Sequence, residues 1–138
     1  VIVALDLNIV LDVLLERKEF LDSVEILLLA EAKKIEAIIP LHGITTIYYF
    51  SRKQMSDTVA RQELAKLLKI VRVISISQQG VESAIVSPIA DFEDAIVAET
   101  AIAANADYII TRNKRDFSMS PIIALTPDEF LVRYFTTH

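Results

Sequence analysis

Apolar and polar positions fall in blocks along this chain, and the period changes from block to block. Residues 1–5 form a continuous apolar run rich in β-branched side chains, which suits a strand covered on both faces. The run ends at Asp6, and Asn8 stands where it can cap a short helix over residues 9–16. Phe20, Val24, Leu27 and Leu28 recur at helical spacing and predict a second helix to about residue 33. Residues 36–39 read as a short strand that stops at Pro40. Residues 44–53 read as a helix, although the β-branched run Ile44, Thr45, Thr46, Ile47 would suit a strand equally well.

The second half continues the alternation. Ser56 offers an N-cap, and Ala60, Leu64, Leu67 and Leu68 line one helical face behind it. Residues 71–76 predict a strand, and residues 79–86 a short helix that stops near Pro88. Residues 91–104 give a clear helix, with Ala95, Ala98, Ala101 and Ile102 as a close-packing face. Residues 108–111 and 122–125 read as strands. Thr126, Pro127 and Glu129 spell a helix start: a hydroxyl cap, a proline in the first turn and an acid three residues after the cap. That helix should run to about residue 135. Strands and helices alternating throughout predict an α/β fold, a parallel sheet with helices on both faces. No linker, repeat or low-complexity tract divides it, so residues 1–138 are read as a single domain.

Composition narrows the chemistry. With 53% hydrophobic residues, disorder over most of the length is excluded. The chain has no cysteine, which excludes a disulfide scaffold, a thiolate metal site and a cysteine nucleophile. It also fits a reducing compartment, and a cytoplasmic location is expected. Two histidines, His42 and His138, are too few for a zinc site built from His and Cys. A net charge of -5 argues against nucleic-acid binding by bulk positive charge. A local basic stripe or a bound cation can still reverse the sign at one site. No apolar run approaches the roughly 18 residues that a membrane span needs, and no secretion signal is visible.

In open α/β sheets, ligands bind beyond the carboxyl ends of the strands, where the strand order reverses. Asp6 and Asn8 follow the first predicted strand. Thr111, Asn113 and Asp116 follow the fourth. Asp91 and Asp94 open the helix that feeds the fourth strand. Three acids far apart in sequence, Asp6, Asp94 and Asp116, are therefore placed to converge on one edge. Two carboxylates about 4 Å apart repel by roughly 4 kcal/mol at an effective dielectric near 20. Either one keeps its proton or a cation sits between them. Oxygen ligands without His or Cys suit Mg²⁺ or Mn²⁺, and such an ion points to metal-assisted phosphodiester hydrolysis.

Each of these residues has a plainer reading. Asp12 reads as a solvated residue on the first helix. Asp91 and Glu93 sit in a first helical turn, where the dipole favours acids by about 0.3–1 kcal/mol. Asp116 can pair with Arg112 or Arg115 on the surface, and Thr111 and Asn113 can be ordinary turn residues. His42 reads as a loop residue, and Tyr48 and Tyr49 as packing residues.

Taken in order, the motifs resemble those of PIN-domain ribonucleases, of the kind found as toxins in VapBC toxin–antitoxin pairs. The stretch from Val3 through Asp6 and Asn8 to Asp12 resembles that family's opening motif: a strand, an Asp, a neighbouring Asn, then a helix. The stretch from Asp91 to Ala98 resembles the motif carrying its third acid, with Asp94 in the matching place. The stretch from Ile109 to Phe117 resembles the last motif, with Thr111, Asn113 and Asp116 in the site region. Residues 126–130 resemble a common family ending.

The resemblance implies a three-layer α/β/α fold around a five-stranded parallel sheet. It implies Mg²⁺- or Mn²⁺-dependent cleavage of RNA, a homodimer, and an antitoxin partner. Asp6, Asp94 and Asp116 would be the catalytic and metal-holding acids, supported by Asn8, Thr111 and Asn113. Arg52, Lys53, Arg112, Lys114 and Arg115 would contact RNA phosphates. One departure stands out. Many members carry a Glu in the helix after the second strand, where this chain has Thr46 and no carboxylate from Ile44 to Phe50. Asp91, one turn before Asp94, is a candidate for the missing acid. A PIN-like scaffold that binds RNA or a protein without cleaving is the alternative reading. A phosphatase or phosphoryl-receiver reading fits poorly, because Asp6-Leu7-Asn8 replaces Asp-x-Asp and no Lys follows the last strand. With two glycines, Gly43 and Gly80, there is no phosphate-binding loop.

Overall fold

A computed structural model describes residues 1–17 and 20–138 of the chain. In order, the described residues form β1 (Ile2–Leu5), α1 (Leu7–Leu14), α2 (Leu21–Glu31), β2 (Glu36–Pro40), α3 (His42–Ser51) and α4 (Asp57–Leu67). There follow β3 (Val71–Ile74), α5 (Gln78–Ile85), α6 (Phe92–Ala103), β4 (Tyr108–Ile110), a 3-10 turn (Lys114–Phe117), β5 (Ala124–Leu125) and α7 (Pro127–Thr137). The five strands form one parallel sheet in the order β3-β2-β1-β4-β5. The expected α/β fold and five-stranded parallel sheet are both present.

The three central strands, β1, β2 and β4, are buried on both sides, which is why they read as continuous apolar runs. Val3, Leu5, Ala37, Ile39 and Ile110 face one core, shared with buried residues of α1, α2, α3 and α7. Their alternate neighbours Ala4, Ile38 and Ile109 face a second core, shared with α5 and α6. The period of two along each strand thus divides the molecule into three layers. Ala95, Ala98 and Ala101 put small side chains against the sheet, so α6 packs closely. Ile102 does not belong to that face as expected. It is 41% exposed, because it lies about 100° round the helix from Ala101.

Two local readings are corrected, those of Asn8 and His42, and two stretches that the apolar pattern left open are decided. The first helix begins at Leu7, so Asp6 occupies the N-cap position expected of Asn8. Asp6 is extended there (φ -61°, ψ 139°), but its side chain makes no capping bond. The stretch from Ile44 to Ile47 is helical. Pro40 ends β2, and within the helix that follows the Thr45 hydroxyl donates to the His42 carbonyl at 2.8 Å. His42 opens that helix and is no loop residue. The 3-10 turn after β4 has no counterpart in the apolar pattern, since it spans four residues with one buried anchor, Phe117.

The strand order decides where a site can lie. The chain moves outward from β1 to β2 to β3, then returns across α6 to place β4 on the other side of β1. The order therefore reverses between β1 and β4, and the crevice opens beyond their carboxyl ends.

Candidate functional site

Leu5 pairs with Ile110 in the β1–β4 ladder, so Asp6 and Thr111 leave the sheet side by side. The Asp6 amide donates to the Ile110 carbonyl at 2.9 Å. The Thr111 hydroxyl donates to Asp6 Oδ2 at 2.8 Å and accepts from the Asn113 amide at 3.1 Å. Thr111 has no exposed surface and Asp6 only 9%. Burial pushes the Asp6 carboxyl up from its ordinary range. The Thr111 bond, the amide dipoles of Asn8 and Leu7 and the charge of Arg112 pull it partly back. Thr111 takes Oδ2 alone, so the carboxyl is fixed in place without a full capping bond to the helix.

Asp94 comes from the first turn of α6. Asp91 caps that helix, accepting the Asp94 amide at 3.0 Å. The Asp94 carboxyl is half-buried and pushed up to about 7. Burial is the main cause, followed by the negative charges of Asp6, Asp91, Asp116 and Glu93. Asp116 rides on the 3-10 turn, where its amide donates to the Asn113 carbonyl at 2.9 Å. Phe117, 2% exposed, anchors that turn in the α6 core. The fold thus sets Asp6, Asp91 and Asp116 within electrostatic reach of Asp94. Asn8 lies in the first turn of α1 beside Asp6.

Among the described residues, no three Asp, Glu, His or Cys side chains close on a single point tightly enough to form a ready-made cage. The donor set nonetheless suits Mg²⁺, which keeps several waters and is usually held by one or two carboxylates. Burial first, and four neighbouring carboxylates after it, make the ionised form of Asp94 costly, a cost that a bound cation would lower. Residues 42–51, which form α3, contain no carboxylate, so the helix after β2 adds none to the crevice.

The flanking cations divide into two groups. Arg112 turns inward: Nη2 lies 3.3 Å from Asp12 and the guanidinium stacks 3.9 Å over the Phe20 ring. Lys114 pairs with Glu129 at 2.9 Å. Glu129 is held down to about 2, mainly by its bond from the Thr126 amide, then by Lys114. Both have partners within the chain: the Lys114–Glu129 pair lies at the surface, where such a bond is weak, whereas Arg112 is drawn toward the enclosed Asp12. Arg115 is exposed, Arg52 donates to the Met55 carbonyl at 3.0 Å, and Lys53 sits over the Tyr49 and Phe50 rings. Among the described residues Asp116 makes no ion pair with Arg112 or Arg115.

Asp12 overturns its sequence reading. Its side chain is fully enclosed, bonded to the Ser23 hydroxyl at 2.9 Å and to Arg17 at 3.1 Å as well as to Arg112. The clue was available. Asp12 is the one charged residue in an eight-residue helix that is otherwise apolar apart from Asn8, so it had no polar face to occupy.

Replacing Thr111 with Val keeps the shape but removes one donor to Asp6 and one acceptor for Asn113. We expect Thr111→Val to lose about 1–3 kcal/mol, the usual cost of a buried group left unpaired, read by urea denaturation.

Residues 2–115 match the model of the PIN domain, and the chain belongs to the PIN-domain family. Three solved structures share its fold. The VapBC2 complex of Rickettsia felis, bound to a DNA fragment from its promoter, matches at 21% identity over 91% of this chain and 98% of that one, with a TM-score of 0.70. A toxin–antitoxin complex from Klebsiella pneumoniae matches at 24% identity, 91% and 97% coverage and a TM-score of 0.68. VapBC-1 from nontypeable Haemophilus influenzae matches at 15% identity, 93% and 99% coverage and a TM-score of 0.65. No curated protein matches the chain in sequence. Among the described residues, no helix is long and apolar enough to cross a membrane.

Proposed function

We propose that this PIN-domain protein is a Mg²⁺- or Mn²⁺-dependent ribonuclease and the toxin of a toxin–antitoxin pair. One observation carries the reading: Asp94 is held near neutrality by burial and by the charges of Asp6, Asp91 and Asp116, in the crevice between β1 and β4. Negative charge gathered at that place calls for a cation. Asp6, Asp94 and Asp116 would hold the ion, with Asp91 as a fourth acid. When bound, it would supply activation of water and neutralisation of a phosphodiester. The protein's own part is positional. Thr111 holds one oxygen of Asp6, Asn113 is tied to Thr111, and Asn8 borders Asp6 from α1. Arg52, Lys53, Lys114 and Arg115 would be the cations for an RNA backbone, while Arg112, also expected there, leans toward Asp12. An antitoxin partner, a homodimer and a cytoplasmic location belong to the same proposal; the likeness in fold to two VapBC structures and a toxin–antitoxin complex supports the first.

The test is cleavage of structured RNAs with Mg²⁺, Mn²⁺ and EDTA arms, alongside Asp6→Ala. Cleavage should vanish in EDTA, return with Mn²⁺, and be absent from a folded Asp6→Ala protein. Undiminished cleavage in EDTA would overturn the proposal. A folded wild type that neither binds Mn²⁺ nor cleaves would favour the non-cleaving scaffold instead, a reading supported by the carboxylate-free α3.

A further inference from the structure

The arginine next to Thr111 presents a problem to any cation-binding crevice. Arg112 follows the residue that holds Asp6, and its charge acts on Asp6. Left to itself, a guanidinium there would seek a carboxylate, and Asp6 is within its field. It would then occupy the place of the cation or repel it. The structure diverts it. Asp12, enclosed in α1, takes Arg112 Nη2 at 3.3 Å, and the Phe20 ring supports the guanidinium from one face at 3.9 Å. Asp12 is itself held by the Ser23 hydroxyl at 2.9 Å and by Arg17 at 3.1 Å, so its position does not depend on Arg112 alone. The Arg112 Nε atom is buried with no partner among the described residues. The side chain therefore accepts an unsatisfied donor in order to lie back toward Asp12. The cost of that unpaired donor is offset by the Asp12 ion pair and the Phe20 stacking, which together fix the guanidinium on the Asp12 side.

We infer that Asp12 is a positioning residue for the acidic crevice: it holds the Arg112 guanidinium back, so that Asp6 is left open to a divalent cation. The inference rests on the metal-dependent reading above and adds a part for two residues outside the acid set. It has a signature that a purely structural ion pair lacks. In Asp12→Asn the shape is kept but Arg112 loses its anion, so its charge turns on Asp6. In Asp12→Asn/Arg112→Met the intrusive charge is gone, although the packing is no better.

The experiment measures Mn²⁺ affinity by electron paramagnetic resonance on wild type, Asp12→Asn, Arg112→Met and the double variant, with a melting temperature for each. Asp12→Asn should weaken Mn²⁺ binding at least tenfold. Arg112→Met should bind within threefold of wild type or tighter. The double variant should recover to within threefold of wild type while its melting temperature stays below wild type. Arg112→Lys, which keeps a charge but loses the fork and the stacking, should fall between wild type and Asp12→Asn. Wild-type affinity in folded Asp12→Asn, or a double variant as weak as Asp12→Asn, overturns the inference and leaves the metal-dependent reading standing. If Asp12→Asn does not fold, Arg112→Lys against Arg112→Met decides: an affinity at least threefold weaker in Arg112→Lys supports the inference, and equal affinities overturn it. Failure of the wild type to bind Mn²⁺ at all overturns the metal-dependent reading, and the inference falls with it.

Discussion

Asp94→Asn will bring metal-dependent cleavage down by about a thousandfold or more, equivalent to roughly 4 kcal/mol of lost transition-state stabilisation. It will also make the protein more stable at pH 8. The second effect follows from the crowding of charge. In the folded chain the Asp94 carboxyl is raised from 3.8 to about 7, by burial first and by Asp6, Asp91, Asp116 and Glu93 after it. The folded state therefore holds this proton more tightly than the unfolded state does. That contribution to stability is full below about pH 4 and is lost as pH rises through about 7. Asn carries no charge at any pH, so the variant escapes the loss. Thermal melts at pH 4 and pH 8 read this directly: a higher melting temperature for Asp94→Asn at pH 8, and near equality at pH 4. Mn²⁺ should raise the wild-type melting temperature at pH 8 and leave the variant's unchanged. A variant that is less stable than wild type at pH 8 would show that Asp94 is not under electrostatic strain.

Phe117→Ala carries the largest expected cost in stability. The ring is 2% exposed and packs into the core beneath α6, so its removal should cost about 3–5 kcal/mol. That is a large share of the roughly 5–15 kcal/mol that holds a domain together. The ring is also the one buried anchor of the 3-10 turn that presents Asp116. Cleavage should therefore fall even at temperatures where the variant is folded, while the Asp6–Thr111 pair, on the strand ends, remains in place. Denaturation in urea and cleavage at 10 °C separate the two effects. Wild-type cleavage per folded molecule would show that Asp116 needs no such support.

Much of the fold was legible because its signals are local. Burial on both faces made β1 and β2 unbroken apolar runs. The Thr126, Pro127, Glu129 start of α7 is a complete capping box in the structure. Ser56 caps α4 by accepting the Val59 amide, as its position before a helical face predicted. The helical identity of the stretch from Ile44 to Ile47 was less clear, because β-branched residues serve either period and only the chain geometry after Pro40 decides. The 3-10 turn gave no periodic signal at all. At the site, Asp6, Asp94 and Asp116 could be singled out as residues that follow strands or open helices. Their mutual influence could not, and neither could the inward turn of Arg112.

The sequence alone determined the class of fold, the order of its elements and the set of acids near strand ends, because periodicity, capping and turn chemistry act within a few residues. Only the tertiary structure decided which partners enclose Asp12, that the Asp94 carboxyl is pushed up to about 7, and that Arg112 and Lys114 pair with Asp12 and Glu129. Those outcomes depend on distance through folded space and on exclusion of water, and residues a hundred positions apart carry no local mark of either.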